Sequence, residues 1–245
     1  MSALDVRSFT VGPVQENCYI VSAVDAKAGA DGLRPAVIVD PGDEAERLLQ
    51  GVRELGLRIE AILITHCHFD HIGAVAPIAQ ATGAPVYCPE IERAILADVM
   101  SWVPPGFGPF DSYEADHTVT GGDRLALAGL DIDVLFTPGH SPGHLTYAIA
   151  PTHETAGEGE RALLSGDVLF QGSVGRVDLP GGDWATLERS IGSLLRAFPP
   201  QTVVYPGHMG VTTLARERDT NPFLAELRER VPRETVAPDA TAAGS

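Results

Sequence analysis

Apolar positions along the chain fall into short continuous runs, and these alternate with stretches of helical spacing. Val6–Val11 and Cys18–Val21 are rich in β-branched and aromatic residues and are divided by Gly12-Pro13, which predicts two strands. Residues 23–35, rich in Ala, Gly and Asp, read as an exposed loop. Ala36–Val39 is apolar throughout, as a strand covered on both faces must be, and it ends at the turn Asp40-Pro41-Gly42. A helix follows, with Asp43 as its cap, Leu48, Leu49, Val52 and Leu55 on one face, and Gly56 as its stop. Ala61–Ile64 is another buried strand, and a helix over 72–81 ends before Gly83-Ala84-Pro85. Strand and helix in alternation predict a layered α/β fold.

The stretch Trp102–Tyr113 breaks the pattern. Its prolines and glycines forbid regular structure, and its two Phe and one Trp suit either a substrate lid or a loop pinned to the core. Beyond it, Leu125–Leu127, Ile132–Phe136, Leu145–Ile149, Ala162–Ser165 and Thr202–Tyr205 read as strands, with a polar loop over 151–161. An amphipathic helix starts at Asp183, with Trp184, Leu187, Ile191, Leu194, Leu195 and Phe198 on one side. A last helix begins near Asn221-Pro222, and residues 233–245 read as a disordered tail behind a domain of residues 1–232. One echo joins the halves: Leu63-Ile64-Thr65-His66 and Leu135-Phe136-Thr137-Pro138-Gly139-His140 both run from an apolar strand into a histidine, with a second histidine close behind, His71 and His144.

Charge narrows the function. The chain has 33 acidic and 17 basic residues and a formal charge of −16. No run of Lys or Arg offers a face for phosphates, so nucleic acid is not an expected partner, and neither is an anionic membrane. No apolar stretch approaches a membrane span, and the first residues show no basic region leading into an apolar one, so no signal peptide is expected. Cys18, Cys67 and Cys88 are too few and odd in number for a disulfide framework, which points to reduced thiols and the cytoplasm.

The chemistry lies in the histidines. His66-Cys67-His68-Phe69-Asp70-His71 puts three histidines and an aspartate directly after a buried strand. Imidazole and carboxylate are the donors that zinc and similar divalent ions take. Strand alternation points His66 and His68 the same way and turns Cys67 away, so Cys67 reads as packing, as do Cys18 and Cys88. Asp70 and His71 open the next helix, where Asp70 is either a ligand or a cap. His140, Asp167 and His208 each follow an apolar strand and a glycine, so all the candidates gather at strand ends, where sites of α/β folds lie. Seven donors exceed one tetrahedral ion and suit two ions sharing a carboxylate.

With these residues in view, the sequence resembles the metallo-β-lactamase superfamily, whose hallmark is His-x-His-x-Asp-His. Within it the chain is similar to the short glyoxalase II-like (hydroxyacylglutathione hydrolase-like) hydrolases. The resemblance runs from about Phe9 to Leu224 and includes Gly12-Pro13, Asn17-Cys18-Tyr19, Asp40-Pro41-Gly42, Thr65 to Gly73 and Thr137 to His144. It continues through Ser165-Gly166-Asp167, Gly175-Arg176-Val177-Asp178, Pro206-Gly207-His208, Glu217-Arg218 and Asn221-Pro222. It implies a four-layer αβ/βα sandwich of two mixed sheets flanked by helices. It implies one ion on His66, His68 and His140, a second on Asp70, His71 and His208, and Asp167 bridging them. Both would be divalent, zinc first, with iron or manganese also accepted. The reaction implied is cleavage of a small-molecule acyl thioester of the S-2-hydroxyacyl-thiol type. A hydroxide shared by the ions attacks the carbonyl, and Asp70 accepts its hydrogen bond.

Two other activities use the same motifs: a mononuclear iron persulfide dioxygenase on His66, His140 and Asp167, and hydrolysis of a lactone or β-lactam. His144 is expected beside the site rather than in it, and Arg176 and Asp178 are expected to pair and shape a nearby loop. Tyr147 is a candidate for the pocket wall, while His117 and His153 are placed in exposed polar loops.

Overall fold

The computed structural model describes residues 4–152 and 161–230. The expected tail over 233–245, His153 and most of the 151–161 loop lie outside the described residues.

One six-stranded mixed sheet holds β1 (Leu4–Val11), β2 (Glu16–Ala23), β3 (Arg34–Val39), β4 (Leu57–Leu63), β5 (Val86–Pro89) and β6 (His117–Val119), in that order across the sheet. The next four strands are β7 (Arg124–Leu127), β8 (Leu130–Phe136), β9 (Leu145–Pro151) and β10 (Ala162–Gly166). A small hairpin of β11 (Leu169–Phe170) and β12 (Ser173–Val174) precedes β13 (Val203–Pro206) and β14 (Thr212–Thr213). The second large sheet runs β14-β13-β10-β9-β8-β7. The helices are α1 (Ala45–Glu54), α2 (Phe69–Ile72), α3 (Val75–Thr82), α4 (Arg93–Ala97), α5 (Trp184–Ala197), α6 (Leu214–Thr220) and α7 (Ala225–Arg230).

The continuous apolar runs are explained by three buried clusters. In β3, Val37 and Val39 point between the sheets, where they meet Leu130, Ile132, Tyr147 and Leu164 of the second sheet. Their neighbours Ala36 and Ile38 point outward under α1, α3 and α4, against Leu48, Val52, Ile78 and Leu96. On the far side, Leu163 and Val204 pack beneath Leu187, Ile191 and Leu194 of α5. Helices, sheet, sheet and helices therefore make the expected four-layer sandwich, and burial of both sheet faces supplies the main driving force.

Local departures have local causes. Asp43 does not cap α1. Glu44 stands before the helix in left-handed backbone (φ 52°), its carboxylate accepting from Gly12 N–H and pairing with Arg47. The helix expected over 72–81 is two pieces, because Ala74 N–H donates to Pro41 O rather than back into α2. Asp183 does cap α5, accepting from Thr186 N–H at 2.7 Å. The last helical region has an earlier member, α6, and Asn221-Pro222 starts a short 3₁₀ turn before α7. His117 is exposed as expected but belongs to β6 rather than to a loop.

Tyr147 is no pocket wall. It is fully buried between the sheets, and its hydroxyl donates to Ile64 O at 2.8 Å, just before the first histidine. Tyr147→Phe leaves that carbonyl short of a buried donor. The expected loss is about 2 kcal/mol, read from the midpoint of urea unfolding with an unchanged slope.

Candidate metal centre

Parallel strands bring the donors to one edge. β3 and β4 run parallel, as do β10 and β13, and β8 is parallel to β10 because both are antiparallel to β9. Asp40, the 66–71 segment, His140, Asp167 and His208 therefore all leave the sheets at the same rim. Strand length and direction set the site before any side chain does.

Three nitrogens form one cluster. His66 Nε2 lies 3.1 Å from His68 Nδ1, which lies 2.8 Å from His140 Nε2. Asp70, His71 and His208 form a second cluster, with His208 Nε2 at 3.3 Å and His71 Nε2 at 3.9 Å from Asp70 Oδ2. Asp167 stands between them. Its Oδ1 is 3.3 Å from His71 Nε2, and its Oδ2 is 3.4 Å from His140 Nε2 and 3.6 Å from His208 Nε2. All seven residues picked out in the sequence thus meet in one place. The cap reading of Asp70 falls away, since His68 holds the cap position of α2 and Asp70 turns toward His208.

Hydrogen bonds on the far side of the imidazoles aim their lone pairs inward. His140 Nδ1–H donates to Arg176 O at 2.7 Å, and a carbonyl only accepts, so Nε2 keeps its lone pair toward His68. His71 Nδ1 lies 3.0 Å from Asp40 Oδ2, which turns its Nε2 inward. Thr65 Oγ1 donates to Asp40 Oδ2 at 2.6 Å and is free to accept from His66 Nδ1 at 3.1 Å. Asp40 also accepts from Thr65 N–H at 2.7 Å. One buried carboxylate therefore orients two histidines.

Such an inward-facing set suits a cation. His71 Nε2 and Asp167 Oδ1 are buried polar atoms without a hydrogen-bonding partner, and the nitrogens of His66, His68 and His140 turn toward one another at 2.8 to 3.1 Å. Burial and the neighbouring imidazoles hold His66 well below the ordinary histidine value, and burial with His140 pushes His68 down to about 4, so both are neutral ligands at pH 7. Burial opposes charge on Asp167, but His71, His140 and His208 together outweigh it and keep the carboxyl ionised. Burial likewise opposes charge on His71, where Asp167 and Asp70 prevail and hold it well above its usual range. Imidazoles gathered around ionised carboxylates are the donor set of divalent metal ions, which would take the place of the proton that His71 carries, and the residues present fit them.

The surroundings fall into place by residue. His144 is buried and stacked on His66, with Nδ1 at 3.1 Å from Thr137 Oγ1 and Nε2 accepting from Asp167 N–H at 3.0 Å, so it sets the backbone of Asp167. Arg176 and Asp178 form an exposed two-pronged ion pair, both contacts 2.7 Å, in the loop whose Arg176 carbonyl holds His140. Cys67 points away from the donors, its Sγ 3.5 Å from that of Cys88. In the 102–113 loop, the rings of Phe107 and Phe110 stand 4.7 and 6.3 Å from that of Phe69, so the loop is pinned to the helix carrying Asp70 and His71.

Four further groups at the site have no role assigned from the sequence. Asp40 reads as the start of a turn, although it too follows an apolar strand, the signal that marks Asp167. Asn17 Nδ2 donates to Pro206 O and Met209 O, tying β2 to the His208 loop. Glu16 is fully buried beside His71, its carboxyl raised by burial. Glu92 is buried too and accepts from the loops that carry His66 and His140.

The family model of the metallo-beta-lactamase superfamily matches residues 11–208, and the chain belongs to that superfamily. Hydroxyacylglutathione hydrolase GloC of Haemophilus influenzae is 33% identical over 224 residues, covering 90% of this chain and 98% of that protein. The crystal structure of the BLEG-1 B3 metallo-beta-lactamase is similar at 38% identity and a TM-score of 0.78, over 90% of this chain and 100% of the other. That of TTHA1623 in a di-iron-bound form is 40% identical with a TM-score of 0.66, over 89% and 100% of the two chains. The chain is accordingly a metal-dependent hydrolase of this superfamily. No helix among the described residues is long and apolar enough to cross a membrane.

Proposed function

We propose that this hydrolase uses two divalent ions to cleave acyl thioesters, in the manner of glyoxalase II. The observation that carries the reading is the second cluster: Asp70, His71 and His208 converge beside the three histidines, with Asp167 reaching both groups. His66, His68 and His140 would hold one ion, Asp70, His71 and His208 the other, and Asp167 both. Bound there, the ions would lower the pKa of water and supply Lewis acidity toward a carbonyl oxygen.

The chain's own residues do the rest. Asp70 keeps some exposure to the cleft while facing His208, so its carboxylate is placed to accept a hydrogen bond from the attacking water and aim its lone pair. Neutral His66 and His68 leave the carboxylates as the fixed negative charge of the centre. The leaving thiol is acidic enough to depart as thiolate with little help. The full-length likeness to GloC supports an S-2-hydroxyacyl thioester, and His and Asp donors favour zinc, with iron next in view of the di-iron neighbour. The three buried free cysteines suit a reducing compartment such as the cytoplasm.

A second reading, β-lactam hydrolysis on the same ions, has the likeness to BLEG-1 in its favour. Elemental analysis of protein purified without added metal, followed by a panel of acyl thioesters, a lactone and a penicillin, separates the readings. About two ions per chain and turnover of S-lactoylglutathione or a related thioester is the expected result. Turnover confined to the penicillin would overturn the thioester reading. About one iron per chain with oxygen uptake on glutathione persulfide would replace it by the dioxygenase.

A further inference from the structure

We infer that Glu92 is a positioning residue that sets the spacing of the three-histidine cluster. It sits between β5 and α4, on neither of the loops that carry the donors, and is only 2% exposed. Its Oε2 accepts from the backbone N–H of Cys67 at 2.6 Å, midway between His66 and His68. Its Oε1 accepts from Ser141 Oγ at 2.6 Å and from Gly143 N–H at 2.7 Å, in the segment that begins at His140. One carboxylate thus joins the two loops, one oxygen to each. The approach depends on Gly143, where a Cβ would stand 2.6 Å from Glu92 Cγ.

A buried carboxylate held by neutral donors is a poor way to gain stability, because its desolvation offsets much of what the hydrogen bonds return. It is a good way to fix a distance, because charge-assisted bonds are short and directional. The distance fixed here separates His66 and His68 from His140, whose nitrogens stand 2.8 Å apart at the closest. The second cluster is held by other groups, His71 by Asp40 and the His208 loop by Asn17 and Tyr19. Glu92 therefore acts on one ion and not the other.

The inference rests on the two-ion reading above, and one experiment tells their failures apart. Metal-free wild type, Glu92→Gln and Ser141→Ala are each titrated with cobalt, following its visible absorption and the equivalents bound, and each is melted without metal. Gln keeps the shape but has one acceptor oxygen for donors on two loops. Wild type is expected to take two equivalents. In Glu92→Gln the three-histidine ion weakens about 10- to 100-fold while the carboxylate-rich ion keeps its affinity, and Ser141→Ala shows a smaller loss at the same ion. Equal weakening of both ions, or unchanged affinities, would overturn the inference and leave the two-ion reading intact. Wild type binding fewer than two equivalents would overturn both. Should Glu92→Gln fail to fold, Ser141→Ala decides alone: a loss at the three-histidine ion supports the inference, and no loss overturns it.

Discussion

Asp167→Ala is expected to lower kcat/KM by about a thousand-fold or more, equivalent to about 4 kcal/mol of transition-state stabilisation. The size of the effect follows from position. Asp167 reaches His71, His140 and His208 together, at 3.3, 3.4 and 3.6 Å. Alanine removes an ionised carboxylate from among imidazoles, so the clusters lose the anion they share and bound metal falls below two per chain. The fold is expected to survive, because the tie from Asp167 N–H to His144 Nε2 belongs to the backbone and remains. Asp167→Asn refines the test: it keeps the shape and halves the acceptor oxygens, so metal content should fall while thermal stability of the metal-free protein barely moves. Steady-state kinetics on the best thioester, with elemental analysis of the same samples, checks both variants. Asp167→Ala retaining two ions and more than a tenth of wild-type activity would remove Asp167 from the centre of the mechanism.

What could be read from the chain, and what could not, divides by range. Donors that follow an apolar strand announce themselves locally: a strand end fixes a direction, and His or Asp at that point inherits it. His66, His68, His140, Asp167 and His208 were legible for that reason, and Asp183 as the cap of α5 for a similarly local one. Asp40 carried the same signal, but its neighbours Pro41-Gly42 read more strongly as a turn. Glu92 carried no signal. It is one acid among 33, and its partners lie 25, 49 and 51 residues away. Glu217 stands in a motif of the resemblance, but nothing local in the short and highly charged α6 gives it a role. Its buried carboxylate binds Gly172 N–H, Thr212 Oγ1 and Asn221 Nδ2, and only tertiary structure separates it from a surface charge. The break between α2 and α3 is likewise tertiary, since Pro41 O takes the N–H that a continuous helix would have used. Local periodicity decides elements and strand ends, while the groups that hold donors in register are set by contacts that no window along the chain contains.

The same reasoning makes Gly42→Ala a damaging substitution for a single methyl. Gly42 ends the turn after β3 and lies against the backbone of α2. A Cβ there would fall on the carbonyl oxygen of Asp70 and stand 2.8 Å from Glu16 Oε2. Neither neighbour can swing aside as a flexible surface side chain would: one is main chain beside a donor, and the other is a fully buried carboxyl. The turn is also clamped, because Pro41 O accepts from Ala74 N–H at 2.9 Å and Asp40 accepts from Thr65 N–H at 2.7 Å and from His71 Nδ1 at 3.0 Å. Relief of the clash must push α2 away from β3, which moves Asp70 and His71 from His208 and loosens Asp40 from His71. The expected result is a destabilisation of about 3 kcal/mol in the metal-free protein, at the upper end for an added methyl, with loss of the ion at Asp70, His71 and His208. Urea unfolding measures the first and cobalt titration the second. A variant with wild-type midpoint and two tight ions would mean that the turn and α2 stand farther apart than this, and that Asp40 does not set the position of His71 through the turn.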